Sequence, residues 1–266
     1  MQADSACTRD ERRDRIVAEC NAVRQALQDL LGEYITNAGR RDTSASLDAA
    51  VERMGVKTQR LRRQLRKAVA DHVSDLFLEP DAALTLMMAA ALDGDVDRVE
   101  EAAASFVELS GRIVEVAHLA VSVSSAQDQD GVKMVRHAAA LLQQLSRPVV
   151  DAARILSLRP DSKPARHSAD LFAQTWRNQV ALLCECVDEI VDVDDLLAVS
   201  ESHILEDINE CLAALRRADC DAVLRTAHIA TRRADRIGGV VVAEMGCYEK
   251  GVYTERVLQV TCSLSL

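Results

Sequence analysis

The chain has 266 residues, a formal net charge of −10, and few glycines (10), prolines (4) or aromatics (3%). That length suits one large or two modest helical domains, and good helix formers fill almost every window. The acidic balance argues against a dedicated nucleic-acid binder, no apolar run reaches the roughly 18 residues of a membrane span, and no signal-peptide apolar region opens the chain.

Taken in order, the breakers and caps predict the following helices. The first runs from about Arg9 to Asn37, with Asn37 and Gly39 suited to its C-terminal cap. A second runs from about Ser44, a candidate N-cap, to Leu78, where Pro80 stops it. A short helix from Ala82 to Leu92 ends at "DGD", and Asp95 can cap the next, from Val96 to Ser124. "AQDQDG" is a loop. A helix from about Val132 to Leu158 contains Pro148, which should kink or split it. "RPDSKP" reads as a linker, and four more helices follow: Ala165 to Val191, Asp195 to Arg217, Asp221 to Met245, and Val252 to near the end. Helices this long, joined by loops this short, pack as antiparallel neighbours. The expected fold is therefore all-α, up-and-down bundles in series, with boundaries near residues 1–80, 81–191 and 192–266. "LAVS" at Leu119–Ser122 and again at Leu197–Ser200 is a weak internal echo.

The chemistry of enzymes is missing from this text. There is no phosphate-cradling glycine loop and no HExxH pair. Cys184 and Cys186 form CxC, but helical residues two apart point apart and nothing completes a zinc site. "DGDVD" has Arg98 where a calcium loop needs glycine. The acidic run Asp188–Asp195 reads as a helix end followed by an acidic first turn. The scattered cysteines read as reduced small hydrophobes of a cytosolic protein. Neither a catalytic residue, a cofactor nor a metal is expected. "KTQRLRRQLRKA", from Lys57 to Ala68, is basic and free of acids; it reads as a solvated face or a surface for an acidic neighbour.

The most informative segment is "RIVAECNAVRQALQDLLGEY". Its larger apolar residues, Ile16, Cys20, Val23, Leu27, Leu30, Leu31 and Tyr34, recur mostly at steps of three and four, as one stripe about five turns long. That stripe packs either into the chain's own core or into another protein.

Together with "NAGRRDTSASLDAAVERM", "LRRQLRKAVADHVSD", "DDLLAVSESHILEDINEC" and "YEKGVYTERVL", this segment resembles the vinculin/α-catenin family, in its central mechanosensitive region. The resemblance implies a segment that lacks the family's β-catenin-binding and dimerising N-terminal region and its C-terminal actin-binding bundle. It also implies a start one helix late and, at "VTCSLSL", an end before the last helix is complete. The helix matching Arg15–Tyr34 is the family's vinculin-binding helix, packed at rest, released under tension and then inserted into the vinculin head. "TRRADR" matches a segment whose arginine joins salt bridges between bundles; Arg233 is the matching position, with Glu201 and Asp194 as expected partners. The implied function is a cytoplasmic adhesion scaffold at cell–cell junctions, recruiting vinculin between the cadherin–β-catenin complex and F-actin. Two other readings stand beside it: an ungated vinculin binder whose stripe is always uncovered, and a tension-bearing spacer without partner binding. An uncovered stripe would also favour self-association.

Overall fold

The computed structural model describes residues 2–38, 44–124 and 129–264, with side chains from 13 to 261 inside those ranges. Among the described residues there are nine helices and no strand. They are α1 (Gln2–Asn37), α2 (Ala45–Leu76), α3 (Ala82–Leu92), α4 (Val96–Val123), α5 (Gln129–Leu158), α6 (Lys163–Ile190), α7 (Val193–Arg216), α8 (Cys220–Gly246) and α9 (Val252–Leu264). The all-helical expectation holds. α1 begins well before the expected start near Arg9, and Gly39 lies outside the described residues. α5 is neither split nor interrupted at Pro148: it runs on as one helix, because Val149, Val150, Ala152, Ala153 and Leu156 beyond the proline are buried in the core. Their packing outweighs the one backbone bond that proline removes.

Local chemistry ends these helices. Asp95, Ser162, Asp192 and Asp219 each cap the following helix, their side-chain oxygens accepting the backbone N–H three residues on. Two turns share one design. After α3, Asp95 N–H bonds to Ala90 O and Gly94 N–H to Ala91 O; after α7, Asp219 N–H bonds to Ala214 O and Ala218 N–H to Leu215 O. This is the Schellman pattern, which needs a left-handed residue just past the C-cap. Gly94 supplies it at φ 73°, and Ala218 at φ 55°. In both turns the next residue is the aspartate that caps the following helix, so three residues separate the two helices.

The described residues form two compact units, Met1–Ala68 and Val69–Leu266, with the boundary inside α2. In the first, the covered positions of α1 include Ile16, Glu19, Val23, Ala26, Leu30, Glu33 and Asn37, and those of α2 include Leu47, Ala50, Met54, Lys57, Leu61, Gln64 and Ala68. Both sets alternate steps of three and four, the signature of two helices laid along each other. Ser46 Oγ donates to Glu33 Oε2 at 2.7 Å and ties the closed end of this hairpin.

In the second unit, α3 packs on α4, α4 on α5 and α5 on α6, with α3 also meeting α5 and α6. Phe106 and Trp176 lie at its centre, both fully buried, with ring centroids 5.0 Å apart at 57°. Val69, Val73 and Phe77 from the end of α2, Leu196 and Val199 from α7, and Val240 from α8 extend the same core. α7 then pairs with α8, and α8 with α9.

Two predictions follow from this framework. Ala218→Gly should raise stability by about 1 kcal/mol, and Gly94→Ala should lower it by a similar amount or more, because an L residue resists the left-handed region and a Cβ at 94 would sit 3.4 Å from Pro160 Cγ. Urea denaturation of the two variants checks both signs. Burial pushes the Cys184 thiol up to about 12, so it stays protonated in neutral and mildly alkaline buffer. In a maleimide time course read by mass spectrometry, the exposed Cys20, Cys220 and Cys247 should react first, and Cys184 only on unfolding.

Candidate functional site

The apolar residues of α1 divide into two adjoining seams. Ile16, Val23 and Leu30 lie on the covered seam of the hairpin. Cys20, Leu27, Leu31 and Tyr34 lie beside it and face outward: Leu27 is 43% exposed, Leu31 51% and Tyr34 64%. At 100° per residue the two lines are centred only about 50° apart, so the sequence pattern merges them into one stripe. Val17 and Ile35 are also exposed on this side. They were legible as apolar residues three before Cys20 and four after Leu31.

The covered seam is a weak one. Ala26 on α1 and Ala50 on α2 are its only members that count as fully buried, and both are small. Glu19 and Glu33 on α1, and Lys57 and Gln64 on α2, occupy positions that leucine would fill in a strong coiled coil. One carboxylate oxygen of Glu19 is buried without a hydrogen-bond partner, a cost that hydrophobic packing has to offset.

A second constellation, wholly inside the second unit, gathers the end of α2, α7 and α8. Arg233 is 5% exposed. Its Nε donates to Asp207 Oδ2 at 3.0 Å, and its Nη1 to Ser74 O at 3.1 Å, Ser74 Oγ at 2.8 Å and Asp75 Oδ1 at 3.2 Å. Nη1 also lies 3.0 Å from His203 Nδ1, while His203 Nε2 lies 2.8 Å from Asp71 Oδ1. His203 Nδ1 also lies 3.2 Å from Ser74 Oγ and 3.2 Å from Asp75 Oδ1, so the imidazole bridges the arginine cluster and Asp71. One helical turn on, Arg236 Nη1 donates to Val73 O at 2.7 Å, Nη2 pairs with Asp188, and the guanidinium lies 5.6 Å above the Phe77 ring. Burial raises the Asp188 carboxyl above its ordinary range, and Arg236 works against that rise.

The arginine foreseen at position 233 is thus central, but its partners differ from those expected. Asp194 and Glu201 are exposed and make no bond to it. Both lie about half a turn around α7 from His203, whereas Asp207, one turn on, shares its face. The residues missed are Asp71, Ser74, Asp75, His203 and Asp207; "ADHVSD" and "HILED" carry their signal as polar pairs four residues apart, Asp71 with Asp75 and His203 with Asp207.

Among the described residues no helix is long and apolar enough to cross a membrane, and no cluster of His, Cys, Asp or Glu could hold a metal ion. Removing Arg233 leaves buried acceptors and carboxylates without their cation, which typically costs about 3–5 kcal/mol. Arg233→Ala should therefore lower the urea midpoint of the second unit strongly while far-ultraviolet circular dichroism shows unchanged helix content; Glu201→Ala should leave the midpoint where it was.

Comparison with known proteins identifies the family. The vinculin family matches residues 1–266. Human Catenin alpha-2 is 51% identical over 265 residues, covering 100% of this chain and 28% of its own length. Catenin alpha of Drosophila melanogaster is 50% identical over 259 residues, covering 97% of this chain and again 28% of its own. The chain therefore spans little more than a quarter of the curated relatives it matches. Among solved structures, the crystal structure of the HMP-1 M domain superposes with a TM-score of 0.78 at 38% identity, over 94% of this chain and 68% of that one. A vinculin homolog from a sponge shares the fold, with a TM-score of 0.81 at 24% identity, over 96% of this chain and 32% of that one.

Proposed function

The chain belongs to the vinculin family as an α-catenin-like middle segment, and on that premise we propose that it is an adhesion scaffold module that recruits vinculin through α1. Its setting is the cytoplasm at cell–cell junctions, within a longer protein that joins the cadherin–β-catenin complex to F-actin through other regions. Its serial bundles, near residues 1–80, 81–191 and 192–266, transmit tension and perform no catalysis.

The observation that carries this reading is the pair of seams on α1. A helix that served only its own hairpin would need one. Cys20, Leu27, Leu31 and Tyr34 form a second, uncovered line, and an amphipathic helix offering such a line is the ligand that helix-in-groove recognition takes. The exposed line makes the first contact. Ile16, Val23 and Leu30 complete it once α1 leaves α2, and the weak seam lets a modest pull do that. The exposure of the second line also favours some binding with no force at all.

Titration calorimetry with the vinculin head is the test. The chain should bind without applied force, and Leu27→Ala should weaken binding by tenfold or more, given that truncating a leucine buried in an interface costs about 2–5 kcal/mol and each decade takes about 1.4. Asp29→Ala, on the opposite side of the helix, should bind like the parent. Equal affinity for Leu27→Ala and the parent would show the site to be elsewhere; no binding by the parent would leave the spacer reading.

A further inference from the structure

The basic stretch of α2 has no part in the contact described above. Charge is divided sharply along this chain: residues 1–68 hold fourteen Lys or Arg against ten Asp or Glu, and residues 69–266 hold eighteen against thirty-two. Within α2, Arg53, Arg60, Arg63 and Lys67 follow one another at steps of seven, three and four, and no acid stands between the first and the last. They make a line about 21 Å long within about 80° of arc. Arg53, Arg60 and Arg63 are exposed and Lys67 half-buried, on a flank of the helix turned away from the covered seam. Val56 is the one apolar residue in the line. With no aromatic or leucine there, the stripe lacks the anchors of bilayer insertion and of base stacking.

A surface of opposite charge occurs in the second unit. Between α6 and α8 runs a groove of about 600 Å³ with Glu185, Glu189 and Glu244 on its walls and Gly239 and Ala243 on its floor. Asp188 in the same groove is paired with Arg236, which leaves the three glutamates to set its charge. Glu185 and Glu189 are exposed and one helical turn apart, the same rise that separates Arg63 from Lys67. A Cβ placed on Gly239 would meet nothing within 4 Å, so the floor admits long side chains. Basic stems can lie along it with their charged ends at the walls.

We propose that the basic stripe of α2 in one copy docks into the α6–α8 groove of a second copy. The contact is heterologous, stripe to groove, and electrostatic in origin. It is independent of the vinculin reading, since it uses neither seam of α1.

Sedimentation velocity on the whole chain tests it. At about 50 mM salt the weight-average mass should climb with protein concentration, and at about 500 mM it should return to the monomer value, because screening shortens the reach of exposed charges. Arg60→Glu with Arg63→Glu should raise the dissociation constant about tenfold or more, and so should Glu185→Arg with Glu189→Arg. Each double variant alone should stay monomeric, and an equimolar mixture of the two should associate again, because each then offers what the other's altered surface needs. Arg60→Gln with Arg63→Gln, which removes attraction without adding repulsion, should weaken association less; circular dichroism confirms that all variants fold. A parent that is monomeric at low salt overturns the proposal, whether or not it binds phosphatidylserine vesicles. So does association that ignores both salt and charge reversal, which would assign the contact to the apolar line of α1, and so does a mixture that stays monomeric.

Discussion

The grip of α8 on the end of α2 is the interaction on which the second unit depends. Two arginines one turn apart, Arg233 and Arg236, reach the backbone carbonyls of Ser74 and Val73. Those carbonyls stand near the C-terminus of α2, where the helix dipole concentrates partial negative charge and intrahelical donors run out. The guanidinium is suited to this position: it keeps its charge when buried and offers several donors in a fixed fork. Asp75, Asp207 and Asp188 surround the two cations, and His203 passes the network on to Asp71. Helices distant in sequence are joined here by groups that satisfy one another, whereas apolar packing alone would leave their rotation free.

The two units contrast in how they are held. In the second, aromatic and branched side chains interlock around Phe106 and Trp176, and each large buried side chain contributes on the order of 2 kcal/mol. In the first, the seam interleaves half-buried apolar side chains with alanines and with Glu19, Glu33 and Lys57. Cooperative units of unequal stability open in order of weakness. The difference between the units thus arises from composition at a handful of seam positions.

Economy at the turns serves the same end. Where α3 meets α4 and where α7 meets α8, one residue in the left-handed region and one aspartate both end a helix and begin the next. Short connections of this kind leave little slack between antiparallel neighbours. Ala218 stands where glycine is easier, a strain that the pairing of α7 with α8 has to hold.

How much of this was present in the amino-acid string divides along a physical line. Helix content, the positions of most helix ends, the Asp95 cap and the apolar character of Arg15–Tyr34 all rest on interactions within four residues, and those are written directly in the order of side chains. The central place of Arg233 came from resemblance to a family. Which half of the α1 stripe is covered, whether α5 survives Pro148, and that Arg233 pairs with Asp75 and Asp207 in place of Asp194 and Glu201 were decided by tertiary structure. Each turns on the rotation of one helix against another, and at 100° per residue a quarter turn moves Leu31 out and Leu30 in while leaving the local pattern of threes and fours unchanged.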